Sequence, residues 1–384
     1  MKLLSVDNYV DFECIAGDCP ISCCGGNWGI PIDDDSYSYY MSVEGEFGER
    51  LRNGIIRMND TNMFRLDDKT KDCVFLNENK LCSIYRSLGS DAMCLTCKTY
   101  PRAMYQVGDI MFCFLANSCP EVNRMIFQKK EPLRTLFDDS DDDMEESNDF
   151  DHNRFDNALR AFNAGLHIIQ NRDITLGDRI FLILFYVERF QELMKNNSDA
   201  SDLTGIFSNP SIYEMFLENR VKDADDFSDR IHVFMMVYRI LMADSYDHPI
   251  WVRCSELADD IVHKGVADTD ALSRAFLSVE KDKSIQIELE QLMSYRFFAM
   301  FMRGLDHDDY LDRLAYEIVK YAALVTYMAL TETIHGHMCS QEDRILFYSL
   351  CSRIDHTSKQ KDKLIDELRR EGYYTMEKLL KLII

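Results

Sequence analysis

The chain has 384 residues and thirteen cysteines, a length that suits roughly two or three domains. Its net charge of −23 argues against a nucleic-acid partner, which needs a basic surface to displace counterions from phosphate. A membrane span is excluded too, because no window of about eighteen apolar residues is free of charge; the greasiest, 316–334, holds Glu317, Lys320 and Glu332.

Residues 1–10 lack the basic, apolar and small-residue regions of a secretory leader, so the chain reads as cytoplasmic, with reduced thiols. From the N-terminus, the front part reads as short strands, tight turns and brief helices. Residues 74–76 and 81–84 flank the four-residue loop 77–80 as a hairpin. Pairing Leu76 with Leu81 would put Cys82 opposite Phe75 and Cys73 on the same face. Gly108-Asp109, between 104–107 and 110–112, marks a second hairpin.

Residues 138–151, DDSDDDMEESNDFD, carry too much like charge and too little apolar surface to order themselves. They predict a linker or exposed loop between a cysteine-rich domain, 1–137, and a helical domain, 152–384. In the latter, Phe155, Leu159, Phe162, Leu166 and Ile169 recur at helical spacing. Similar patterns span 179–194, 229–242, 285–302, 309–331 and 361–383. Ser340 and Asp343 read as a capping pair before Ile345 and Leu346. The many Met and Phe residues here read as core packing, since flexible Met fills gaps. His335-Gly336-His337 reads as a helix C-terminus. The fold class is therefore mainly α, a small cysteine-rich α+β domain followed by an α-helical bundle.

Ten cysteines lie in the first third, where there is no histidine: Cys14, Cys19, Cys23, Cys24, Cys73, Cys82, Cys94, Cys97, Cys113 and Cys119. An odd total and the adjacent pair Cys23-Cys24 suit a disulfide framework poorly. Thiolates alone point to a metal or cluster, and spacing leaves iron-sulfur and four-cysteine zinc both open. The three-cysteine motif of radical enzymes is absent, because Gly26 follows Cys19 and Cys23 where a third cysteine would stand, and Ser90 precedes Cys94 and Cys97. No glycine-rich nucleotide loop follows a strand.

The ordered set Phe12-Glu13-Cys14, Cys19, Cys23-Cys24, Trp28-Gly-Ile-Pro-Ile-Asp33, Cys73-Val-Phe-Leu, Leu81-Cys82-Ser-Ile, Thr96-Cys97-Lys-Thr-Tyr100-Pro-Arg102 and Ser118-Cys119-Pro-Glu121 resembles the flagellin lysine-N-methylase family. It is also similar to a wider group of small proteins whose cysteine cluster binds zinc or iron. The resemblance covers residues 5–128.

It implies a cytoplasmic enzyme that moves methyl groups from S-adenosylmethionine to lysine ε-amines of flagellin or another lysine-bearing protein. It also implies an iron-sulfur cluster, 4Fe-4S in kind with zinc the alternative. The family's cysteines map to Cys14, Cys19, Cys23, Cys24, Cys73, Cys82, Cys97 and Cys119, leaving Cys94 and Cys113 as extras.

Methyl transfer needs a neutral amine and a surface for a sulfonium. Asp33, Tyr100 and Glu121 are the candidate catalytic groups within these motifs, and Arg102 and Trp28 the candidates for holding cofactor. Each also has a structural reading: Asp33 as a helix cap, Tyr100 as a packed ring, Arg102 as a counter-charge and Trp28 as a shield over the cluster. A competing function is a redox or interaction protein that binds iron-sulfur or zinc without moving methyl.

Overall fold

The computed structural model describes residues 2–25, 28–139, 151–218, 227–242, 249–264, 269–356 and 358–383. The described strands are β1 (Lys2–Val6), β2 (Ile55–Met58), β3 (Thr61–Phe64), β4 (Arg102–Val107), β5 (Ile110–Leu115) and β6 (Thr135–Asp139). The chain divides into two compact units. The larger holds Met1–Tyr9, Met104–Phe114 and Asn123–Ile384, and the smaller Val10–Ala103 and Leu115–Val122. This division follows long-range strand pairing rather than a single break at the acidic segment. Of that segment, Asp138 and Asp139 belong to β6, Asp151 caps a helix, and 140–150 lie outside the described residues.

In the larger unit the sheet runs β4-β5-β1-β6. The β4–β5 hairpin turns at Gly108-Asp109, as expected. β1 lies parallel to β5, with Leu4 beside Phe112, and antiparallel to β6. The rest of this unit is helical. The expected stripe lies on helix His152–Ile169, where Phe155, Phe162, Leu166 and Ile169 are buried. Helix Tyr310–His335 is buried on every side along most of its length, the mark of a core element. It ends at Gly336. Ser340 and Asp343 form a reciprocal capping box on helix Gln341–Arg353. One expected helix is broken: 361–383 falls into Ser358–Arg370 and Met376–Lys381, because Gly372 takes φ +79°, a left-handed conformation that ends the first helix.

The smaller unit joins the β2–β3 hairpin to short helices at Asp34–Ser42, Gly45–Asn53, Ser83–Leu88 and Leu95–Thr99. Its core gathers Tyr40, Phe64 and Phe75 around Ile30, Leu51 and Ile84. The hairpin expected at 74–84 shrinks to one bridge, with Leu76 opposite Cys82 rather than Leu81. The register shifts by one because the Asn77 side chain accepts from the Asn79 and Leu81 amides and tightens the loop.

Candidate functional site

The motifs of the smaller unit converge through backbone bonds. The Asp33 carboxylate caps helix Asp34–Ser42 by accepting from the Ser36 amide at 2.9 Å, and its other oxygen accepts from the Leu95 amide at 2.7 Å. The Thr96 hydroxyl donates to the Pro31 carbonyl at 3.0 Å. These bonds fix the Cys94–Cys97 turn against 31–33. The Cys73 amide donates to the Cys24 carbonyl at 2.7 Å, which brings the Cys23-Cys24 turn alongside.

The result is a small cavity lined by five thiols, Cys24, Cys73, Cys82, Cys94 and Cys97, and closed by Tyr40, Phe64, Phe75 and Met93. Its volume for atom centres, ≈ 10 Å³, is about that of one water molecule. Cys94, an extra by the family pattern, is fully buried in this wall. Cys113 lies on β5 in the larger unit.

The thiols act on one another. A hydrogen bond that the Cys24 thiol donates to Cys23, then burial and the fields of Cys23, Cys73 and Cys82, push Cys24 far up. Its bond to Cys94, then burial, does the same to Cys97. Burial raises Cys73 to about 11, with Cys82, Cys94 and Cys23 adding to it. Cys94 moves down, because the Cys97 thiol and the Cys97 and Thr96 amides bond to it. Burial and bonding between the thiols keep most of them protonated, and a bound cation is what would replace those protons.

An all-sulfur wall without histidine or carboxylate is soft, the donor set that suits zinc or iron-sulfur chemistry. Among the described residues, however, no three His, Cys, Asp or Glu side chains already stand placed to hold one metal ion. The cavity is a gathering of thiols short of a formed coordination sphere.

The remaining motif residues lie in the same unit. Tyr100 shares a hydrogen bond with Ser118 at 3.1 Å and meets Trp28 edge-on, centroids 5.3 Å apart. Arg102 covers the Phe12 ring at 5.6 Å and donates to its carbonyl at 3.3 Å. Cys119, raised to about 12 by burial, feels Cys19 and Cys23. Glu121 lies in the first turn of helix Pro120–Gln128. Cys14 is exposed, and Cys19 donates to the Ile21 carbonyl.

Sequence reasoning missed a buried charge cluster in the larger unit. Arg296 binds both oxygens of Glu317, and Lys320 contacts Glu317 at 3.0 Å and Asp355 at 3.1 Å. The Tyr316 hydroxyl donates to Asp355 at 2.8 Å. Burial works against ionising Asp355, but Lys320 and Arg296 outweigh it and hold its carboxyl well below the usual range. The available signal was the pair Glu317 and Lys320, charged residues three apart within an otherwise apolar helix.

Fold and cavity together define a mainly helical protein with a thiol-lined pocket in its smaller unit. Residues 163–382 match the family described as the FliB lysine N-methylase C-terminal domain; this is more than half of the chain, and the chain belongs to that family. The flagellar biosynthetic protein FliU of Salmonella muenchen is 27% identical over 127 residues, 32% of this chain and 75% of FliU. Lysine-N-methylases of Salmonella typhimurium and Salmonella choleraesuis are likewise 27% identical over 127 residues, a stretch that spans 31% of each. The chain thus matches under a third of the length of these two methylases. No solved structure matches. Among the described residues no helix is long and apolar enough to cross a membrane.

Proposed function

We propose that the chain is a protein-lysine N-methylase that transfers methyl from S-adenosylmethionine to lysine ε-amines of flagellin. The family match across residues 163–382 carries this reading. The amine lone pair forms the N–CH₃ bond as the S–CH₃ bond breaks, and that electron pair returns to sulfur, giving a neutral thioether. Before this, the ammonium must lose a proton to a carboxylate, a phenol or water. Tyr100 and Glu121 are the acceptors proposed for it. Asp33, whose oxygens are both engaged by amides, acts as a positioning residue for the Cys94–Cys97 turn. Trp28 and Arg102 shield and counter-charge the cofactor region.

The reading includes an all-thiolate centre, an iron-sulfur cluster of the 4Fe-4S kind or a zinc ion, held by four thiolates drawn from Cys24, Cys73, Cys82, Cys94 and Cys97; the cavity as it stands has room for a single ion, and a cluster would require its walls to part. When bound, such a centre ties the loops that carry these cysteines together, since metal-binding energy becomes folding energy. Cys14, Cys19, Cys23 and Cys119 complete the proposed set around it.

The test is transfer of labelled methyl from S-adenosylmethionine to purified flagellin by anaerobically prepared protein. Absence of label on flagellin and on any other lysine-bearing protein would sink the methylase reading. One observation favours a second reading, a metal-binding or redox interaction protein: the thiol cavity lies wholly outside the segment that matches the family. Metal bound stoichiometrically, with no binding of S-adenosylmethionine, would support that reading instead.

A further inference from the structure

Within the larger unit several arginines find carboxylate partners. Arg172 and Arg179 reach Glu290, Arg344 reaches Glu288, Arg154 reaches Asp308 and Arg296 reaches Glu317. Arg303, in the short 3-10 helix Phe301–Asp306, is different. Its guanidinium carbon stands 4.5 Å over the Tyr105 ring and 5.6 Å from that of Phe114. Among the described residues no hydrogen bond or ion pair is made to it. Asp355, a carboxylate whose field reaches it, is already held by Lys320, Arg296 and Tyr316.

The platform beneath Arg303 is layered. Tyr105 stacks on Phe112 at 5.1 Å with planes 5° apart, so β4 and β5 present a layered aromatic support. A guanidinium over an aromatic face keeps its in-plane N–H donors free. Those donors form a fork that matches a carboxylate at two points. Arg313 and Arg296 add positive field at the same place.

We propose that Arg303 is a binding residue for a ligand carboxylate, with Tyr105 and Phe114 holding its fork in place. This rests on the methylase reading, which offers two sources of the group: the amino-acid carboxylate of the sulfonium donor, or an acidic side chain of the protein acceptor.

The experiment is calorimetry on the full chain, comparing wild type, Arg303→Gln and Arg303→Lys. The probes are S-adenosylhomocysteine, 5′-methylthioadenosine, which lacks the amino-acid carboxylate, and flagellin. A donor site predicts that Arg303→Gln weakens S-adenosylhomocysteine about tenfold or more and leaves methylthioadenosine unchanged, with Arg303→Lys in between. An acceptor site predicts the same ranking for flagellin with the nucleoside probes unchanged. Equal weakening of all three probes would mark a structural residue and overturn the proposal, as would a folded Arg303→Gln protein that binds like wild type. Wild type that binds neither S-adenosylhomocysteine nor flagellin would remove the methylase reading and this proposal with it. Wild type that binds and methylates, indifferent to position 303, would remove the proposal alone.

Discussion

Arg296 and Glu317 meet at two points, Nε to Oε2 at 2.8 Å and Nη2 to Oε1 at 2.6 Å, with side chains 2% and 3% exposed. Removing one partner leaves a buried charge uncompensated. Glu317→Gln is therefore expected to cost about 3–5 kcal/mol in urea unfolding. The double substitution Arg296→Met with Glu317→Leu should cost less than the single one, because it removes both charges. A double variant as unstable as Glu317→Gln would show that the pair holds the helices by more than charge balance.

Asp355 gives the acid limb of stability. Its folded pKa is depressed, so its contribution is complete above the unfolded value of about 3.9 and drains away as pH falls through the lower folded value. Melting temperatures of wild type and Asp355→Asn should differ most near neutrality and converge below about pH 4. A constant gap down to pH 2 would contradict the assignment.

The thiol cavity predicts which cysteines carry metal. Cys73→Ser or Cys97→Ser should lower bound metal by about tenfold or more, measured as iron, acid-labile sulfide and zinc per chain after anaerobic purification. Cys113→Ser, on β5 in the other unit, should bind as wild type does. Equal losses in all three would point away from the cavity.

Gly165 lies inside helix His152–Ile169, where alanine would ordinarily gain about 1 kcal/mol. Here an added Cβ would fall 2.4 Å from Cζ of Phe297 and 3.1 Å from Cδ1 of Ile183. Overpacking wins, and Gly165→Ala is expected to lose about 1–3 kcal/mol in chemical denaturation. A stabilised variant would mean that the Phe297 ring can step aside.

What the sequence made legible was whatever repeats locally. The stripe from Phe155 to Ile169, the Ser340–Asp343 box and the β4–β5 turn each carry their signal within a few residues. The break at Gly372 leaves only a single glycine as its signal, because the apolar periodicity continues beyond it. Cys94 could not be placed in the cavity from spacing, since its position depends on Asp33 bonding the Leu95 amide across 62 residues. The charge cluster and the Arg303 platform depend likewise on which helices and strands meet.

The pairing of β1 sets a timetable for the nascent chain. Lys2–Val6 leaves the ribosome well ahead of its neighbours, β5, from Ile110, and β6, from Thr135. At about 5–20 residues per second, a hundred residues of waiting amounts to roughly 5–20 seconds with both strand edges open. During that interval the segment between them, with its cluster of cysteines, emerges in full. A metal-loading machinery acting on the growing chain would meet those thiols before the first strand has any partner at all.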